Sequence, residues 1–283
     1  SRRTVSRRVR LVARPRLSRL EILEARRVLS HTSGLPGLDV HDVTSPHGMY
    51  APPVEGEPFP DFDEFDASGG RWSDNDLSDG VTITYSYVNF TDGSLPGGAL
   101  PEDLIAATEE ALGLWAEVAP LHFVEIVDSG PAPSEAFYAP DTYPDIRIGH
   151  HFIDGGSGVL AHAYFPREGA GRAGDVHFDT GDRWRIGPGP GFDVLEVMLH
   201  ELGHSLGLGH EPPSGEDAIM NPFYGGRFNG LGTGFLFEDD IADIQELYGE
   251  GVGSVTPLQP LLVDIVADES DGNFEEGDLS LRE

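Results

Sequence analysis

The residues most able to do chemistry are His200, Glu201, His204 and His210, in the string HELGHSLGLGH at 200–210. On a helix, His200 and His204 stand at i and i+4, so their rings project from one face about 5–6 Å apart at Cβ and can grip one ion. Gly207 can take a positive φ, which lets the chain turn sharply and return His210 to the same point. Three neutral imidazoles leave a fourth position for water, the pattern of a catalytic zinc rather than a structural one. Glu201, next to the first ligand, can reach that water as a general base.

These residues need elements to hold them. The pattern from Phe192 to Ser205 predicts a helix that Gly207 and Gly209 end. Val81–Val88 alternates β-branched and aromatic residues and reads as a strand, as do Leu121–Ile126 and Ile146–Ile148. Pro101 to Val118 reads as a helix, with Pro101, Glu102 and Asp103 suited to its first turn. Phe237 to Tyr248 reads as a last helix, opened by Glu238, Asp239 and Asp240, where the helix dipole favours acids.

The spacing HExxHxxGxxH is the metzincin signature. The downstream stretch Asp217–Tyr224 (DAIMNPFY) contains Met220, Pro222 and Tyr224, which match the matrixin M-x-P-x-Y turn, so Met220 is implied as the methionine beneath the metal site. Residues 237–249 (FEDDIADIQELYG) and 111–123 (ALGLWAEVAPLHF) resemble the closing helix and the first helix–strand junction of a matrixin. Glu211 departs from the Ser that matrixins more often carry there and resembles astacins. Pro222, two residues after Met220, departs from the Tyr of astacins and serralysins. The resemblance spans about residues 71–250 and looks like a matrixin of bacterial type. It implies an α+β, zincin-like domain with a twisted, mainly parallel sheet, an active-site helix and a C-terminal helix.

The same resemblance extends to residues 145–182. The segments DGGSGVLAH at 154–162 and GDVHFD at 174–179 resemble the matrixin block that holds a structural zinc and calcium. It implies His162 and His177 as structural-zinc ligands, with His151 as the third. Ile153 stands where an Asp is usual, so the fourth ligand is open between His150 and a carboxylate such as Asp154. Asp154, Asp179 and Asp182, with carbonyls of the Gly155–Gly158 turn, are implied for one calcium, and Asp145 with Asp175 for a second. Carboxylates and carbonyls are the hard oxygen donors calcium takes.

The function expected is a zinc-dependent metalloendopeptidase that hydrolyses peptide bonds of proteins through a zinc-bound water, Glu201 acting as base and then as acid. The resemblance places an extended peptide against an edge strand near Val159 to Ala163, with a pocket wall from Pro222 to Phe237. The glycines of that wall read as a mobile loop. The alternative is a non-catalytic, metal-stabilised extracellular binding or adhesion module on the same scaffold. Retention of Glu201 speaks against it, because a scaffold needs only the histidines.

Composition narrows the partners. The 283 residues carry 18 basic and 49 acidic side chains, a formal charge of −31, and every basic residue is Arg. Such a chain lacks the basic footprint that nucleic acid requires, and no apolar run approaches the roughly 20 residues of a membrane span. There is no Cys, so disulfides, thiolate ligands and a cysteine-based latency switch are all excluded. A calcium-using peptidase belongs where calcium is high, so a secreted or cell-surface location is expected.

Ten Arg and two acids fall in residues 1–30. This basic segment resembles, over Leu20–Ser30, the short LEPR-type export segment of some bacterial proteins, and otherwise reads as a disordered tail. Residues 31–70, rich in Pro, Gly and acids, read as a linker or pro-segment without a core of its own. The peptidase domain is expected over 71–250. Residues 251–283 read as a linker with a strand at Leu261–Val266, and Ser280–Glu283 resemble the opening of a right-handed β-helix module.

Overall fold

The computed structural model describes residues 48–52, 70–73, 80–128, 130–132, 143–166, 171–211 and 217–258. The readings for 1–30, for most of 31–70 and for the tail from 259 onward, including the strand at Leu261–Val266, lie outside these residues.

Strand β1 (Val81–Tyr87) leads into helix α1 (Pro101–Val118), followed by β2 (Leu121–Glu125), β3 (Ile146–His151), β4 (Ala161–Ala163) and β5 (Val176–Asp179). Two short strands, β6 (Trp184–Arg185) and β7 (Phe192–Asp193), precede α2 (Val194–Ser205). Helix α3 (Glu238–Tyr248) and strand β8 (Ser254–Thr256) complete the order. The main sheet runs β4-β5-β3-β1-β2-β8. Every pairing in it is parallel except β4 with β5, which is antiparallel. The expected α+β arrangement with a mainly parallel sheet is therefore present.

Helices α1 and α2 pack together. Trp115 is fully buried, and its indole N–H donates to Leu199 O at 3.1 Å, which ties the two helices at mid-length. Every residue of α2 is buried, as expected for a helix clamped between another helix and a sheet.

Several boundaries differ from the sequence reading. Phe192 and Asp193 form β7 rather than helix, because Asp193 is the N-cap: its Oδ1 accepts from Leu195 N at 3.1 Å. Strand β3 continues through His150 and His151 beyond the apolar run Ile146–Ile148. Strand β8 joins the sheet edge by pairing with His122–Val124, so chain beyond 250 contributes to the packed unit.

Candidate metal centre and peptide cleft

Helix α2 carries His200, Glu201 and His204 and ends in a Schellman turn. Leu208 N donates to Gly203 O at 2.9 Å and Gly207 N to His204 O at 2.8 Å. Gly207 has φ of +107°, and a Cβ there would overlap Gly70 O, so both conformation and space require glycine. The turn brings His210 back, and the ligand atoms of His200, His204 and His210 lie within 4.8 Å of one another.

The hydrogen bonding fixes the tautomers. His200 Nδ1 donates to Ile219 O and His204 Nδ1 to Leu208 O, each at 2.7 Å. Their Nε2 atoms therefore carry a lone pair and no proton. His204 Nε2 nevertheless lies 3.1 Å from both His200 Nε2 and His210 Nε2. Lone pairs converging at that distance repel unless a cation lies between them, and carbonyl partners on the far nitrogens are the usual support of zinc-ligating imidazoles. Burial lowers the pKa of His200 to about 4 against a smaller upward pull from Ile219 O, so the ring is neutral and ready to ligate.

Glu201 is fully buried, and burial raises its carboxyl well above the usual range, with the N–H of Met49 drawing it back. Its Oε1 accepts from Met49 N at 2.9 Å. Its Oε2 has no hydrogen-bond partner among the described residues.

Met220 packs against α2 at Gly203, between His200 and His204 in sequence. It is 1% exposed, and a Cβ on Gly203 would overlap its Sδ. Asp240, at the start of α3, holds the turn. Its carboxylate accepts from Ile219 N at 3.0 Å, Met220 N at 3.2 Å and Phe237 N at 2.9 Å. Burial raises its pKa against the pull of those N–H groups. Asp240 thus fixes the peptide whose carbonyl orients His200. The sequence presents it only as one of three dipole-favoured acids.

The second histidine set also converges. His177 Nδ1 lies 3.2 Å from His151 Nε2 and 3.0 Å from His162 Nε2. His151 Nδ1 donates to Phe152 O at 2.8 Å, which leaves its Nε2 as an acceptor. Burial, followed by repulsion from His162 and His151, lowers the pKa of His177 well below normal. His150 points elsewhere: its ring lies 3.4 Å from Asn89 Nδ2, 3.1 Å from Ser94 Oγ and 3.3 Å from Asp92 Oδ1. Neighbouring residues on a strand face opposite sides, which removes His150 from the choice of fourth ligand.

The acidic residues singled out by the resemblance have several occupations. Asp179 accepts four backbone N–H groups, from Ile153, Asp154, Gly155 and Gly181 at 2.8–3.2 Å. They outweigh its burial and lower its pKa. Asp182 accepts from Ser157 N, and Asp154 Oδ2 from Val159 N. Asp182 Oδ2 has no hydrogen-bond partner among the described residues. Burial raises the pKa of Asp182, with repulsion from Asp179 and Asp154 adding to it. Asp145 is bound to Thr84 N and Oγ1 at 2.8 and 2.6 Å. Asp175 faces the Arg147 guanidinium at 3.9 Å and His177 Nε2 at 4.0 Å.

Between β4 and the loop after Met220 runs a cleft, and the chain itself lies in it. Tyr50 forms an antiparallel bridge with Val159 and a parallel bridge with Phe223. The loop that walls this cleft is pinned rather than loose. Glu196 accepts from Gly225 N at 2.8 Å and from Arg227 N and Nη1 at 2.6 and 2.9 Å. Glu110 accepts from Gly232 N and Gly234 N. Reading the glycines as mobility overlooked these two carboxylates, which come from helices remote in sequence.

The matrixin family model matches residues 71–249. The chain is 37% identical over 230 residues to stromelysin-3 of Mus musculus, covering 78% of this chain and 42% of that protein. It is 40% identical over 172 residues to matrilysin of Felis catus, covering 59% of this chain and 58% of that protein. Against matrix metalloproteinase-2 of Drosophila melanogaster it is 37% identical over 200 residues, covering 69% of this chain and 23% of that protein. The chain spans about two fifths of the length of stromelysin-3. The matched region contains both histidine triads, Glu201 and Met220, and the chain belongs to the matrixin family.

Proposed function

We propose that this protein is a zinc-dependent endopeptidase, with His200, His204 and His210 as the catalytic metal ligands and Glu201 as the general base. The observation that carries the proposal is the convergence of three imidazoles on one point beside a buried carboxylate whose Oε1 already hydrogen-bonds a peptide N–H. A zinc ion held there would supply Lewis acidity toward water and the scissile carbonyl. Glu201 takes the proton of the attacking water and delivers it to the leaving nitrogen, a role matched to a carboxyl raised by burial. The cleft orients the peptide by main-chain hydrogen bonds along the β4 edge, and burial of Glu201 keeps bulk water from competing for it.

A second zinc on His151, His162 and His177 would tie β3, β4 and β5 together, a structural role that ordinarily takes a fourth ligand. Calcium at the Asp154–Asp182 turn is supported by the open Oδ2 of Asp182 and the mutual repulsion of its carboxylates. At the pair Asp145 and Asp175, both oxygens of Asp175 are open among the described residues, but Thr84 occupies Asp145 and the Arg147 cation stands 3.9 Å from Asp175, which weighs against a second calcium there. Protein substrates and an extracellular setting follow from the same reading; no helix among the described residues is long and apolar enough to cross a membrane. The test is hydrolysis of a quenched peptide mixture by the full chain, with and without chelator. Cleavage that is abolished by chelation and restored by zinc supports the proposal, and cleavage indifferent to chelation overturns it.

A further inference from the structure

Asp175 immediately precedes β5, and His177 is the second residue of that strand. Residues two apart in extended chain share a face, so the carboxylate and the imidazole point the same way. The backbone holds Asp175 in place: its N–H donates to Arg172 O at 2.9 Å, and its carbonyl accepts from Tyr164 N at 3.1 Å. Both residues are completely buried. Asp175 Oδ2 lies 4.0 Å from His177 Nε2 and 3.9 Å from Arg147 Nη1, each too long for a hydrogen bond. Among the described residues, neither oxygen of Asp175 has a hydrogen-bond partner, and His177 Nε2 has none.

The resemblance to matrixins gives Asp175 to a calcium, but its surroundings do not fit one. Arg147 is completely buried and brings a permanent positive charge beside the carboxylate. Its Nε donates to Asp128 Oδ2 at 2.6 Å and its Nη2 to Pro131 O at 2.7 Å. Arg172, also buried, lies on the Tyr164 ring at 4.5 Å. Burial raises the Asp175 carboxyl well above the ordinary range, and Arg147, then Arg172, draws it back. The positive charge that a calcium would supply is thus already in place, and a divalent ion beside two guanidiniums would be repelled.

The imidazole offers what the carboxylate lacks. His177 turns Nδ1 toward His151 Nε2 and His162 Nε2, at 3.2 and 3.0 Å. A neutral ring that ligates through Nδ1 carries its proton on Nε2, the nitrogen that faces Asp175. We infer that Asp175 is a positioning residue for the second zinc site, accepting a hydrogen bond from His177 Nε2–H, and that Arg147 stands where a second calcium would. A movement of about 1 Å brings the two groups to hydrogen-bond length. A carboxylate on the far nitrogen fixes the ring and strengthens it as a ligand. This inference rests on the second zinc proposed above.

The full chain, loaded with zinc and calcium, tests it beside Asp175→Asn by metal counts, zinc competition and NMR of the imidazole protons. The variant keeps the side chain's size and loses its charge. It should hold one of the two zincs about 10-fold or more weakly, the other zinc as tightly as the parent, and as many calcium ions. The His177 Nε2 proton should be slow to exchange in the parent and move upfield in the variant, a change that a loss of packing alone would not produce. One calcium fewer in Asp175→Asn, or unchanged affinity for both zincs, overturns the inference and leaves the second zinc standing. A parent chain that binds a single zinc overturns both. Should the variant not fold, the parent decides: a His177 proton on Nδ1, or an Nε2 proton in free exchange with water, overturns the inference.

Discussion

Replacing Asp240 tests how far the metal site depends on a residue that never touches the metal. In Asp240→Ala, the N–H groups of Ile219, Met220 and Phe237 lose their acceptor in a buried setting. Each buried donor left unsatisfied costs about 1–3 kcal/mol. The Met220 bond is long, and the variant is relieved of a buried carboxylate, so the lower end applies and the total is about 3–5 kcal/mol. For a folded unit of this size, about 2–4 °C of Tm is lost per kcal/mol, giving a fall of about 6–20 °C. Asp240→Asn keeps one acceptor oxygen but turns an amide N–H toward a backbone donor, for about 1–2 kcal/mol. Because Ile219 O orients His200, zinc affinity should fall about 10–100-fold in the Ala variant, as for other partners of metal-ligating histidines. Thermal melts and zinc competition against a chelating dye report both quantities. An Ala variant that melts within about 2 °C of the parent and holds zinc as tightly would refute the reasoning.

Other perturbations separate the parts of the site. Gly203→Ala gains about 1 kcal/mol of helix propensity but drives a methyl into Met220, an overpacking that costs about 1–3 kcal/mol; a lower urea midpoint is expected, and an unchanged or higher one would count against a close-packed methionine under the zinc. Glu196→Ala frees the N–H groups of Gly225 and Arg227 in the cleft wall, so KM for peptides should rise and the side-chain preference should broaden; an unchanged cleavage profile would show that Glu196 does not set the pocket. His162→Ala removes one member of the second triad, so zinc content should drop from two ions per chain to one and Tm should fall, with the remaining ion still on α2. Two zincs in that variant would contradict the assignment.

The helix that carries His200, Glu201 and His204 was legible because its signal is local. Histidines at i and i+4, with a glycine turn bringing in a third, need only helical geometry to define a metal site. The strands Val81–Tyr87 and Leu121–Glu125 were legible for the same reason, through short β-branched runs, whereas their parallel pairing was implied only by the resemblance to matrixins. Strand alternation resolves His151 from His150, but the apolar run ends before them, so the sequence alone left both available. Asp240 reads from sequence only as a dipole-favoured acid, and nothing in the sequence marks Glu196 or Glu110. Their roles come from loops that approach from more than twenty residues away.

Met49 was the least legible. It sits in a Pro- and Gly-rich stretch, and its partners Leu160 and Glu201 are more than a hundred residues distant. Composition reports whether a segment can build its own core. It does not report whether that segment completes someone else's cleft.

The most direct measurement is zinc content and peptide hydrolysis on the full chain and on Glu201→Gln, side by side. Gln keeps the shape of Glu but cannot take up a proton, so zinc binding and turnover separate. The account predicts two zinc ions per chain in both proteins, with hydrolysis in the parent and a loss on the order of 1,000-fold or more in the variant. Hydrolysis at the parent's rate by Glu201→Gln, or a parent chain that binds no zinc, would contradict it.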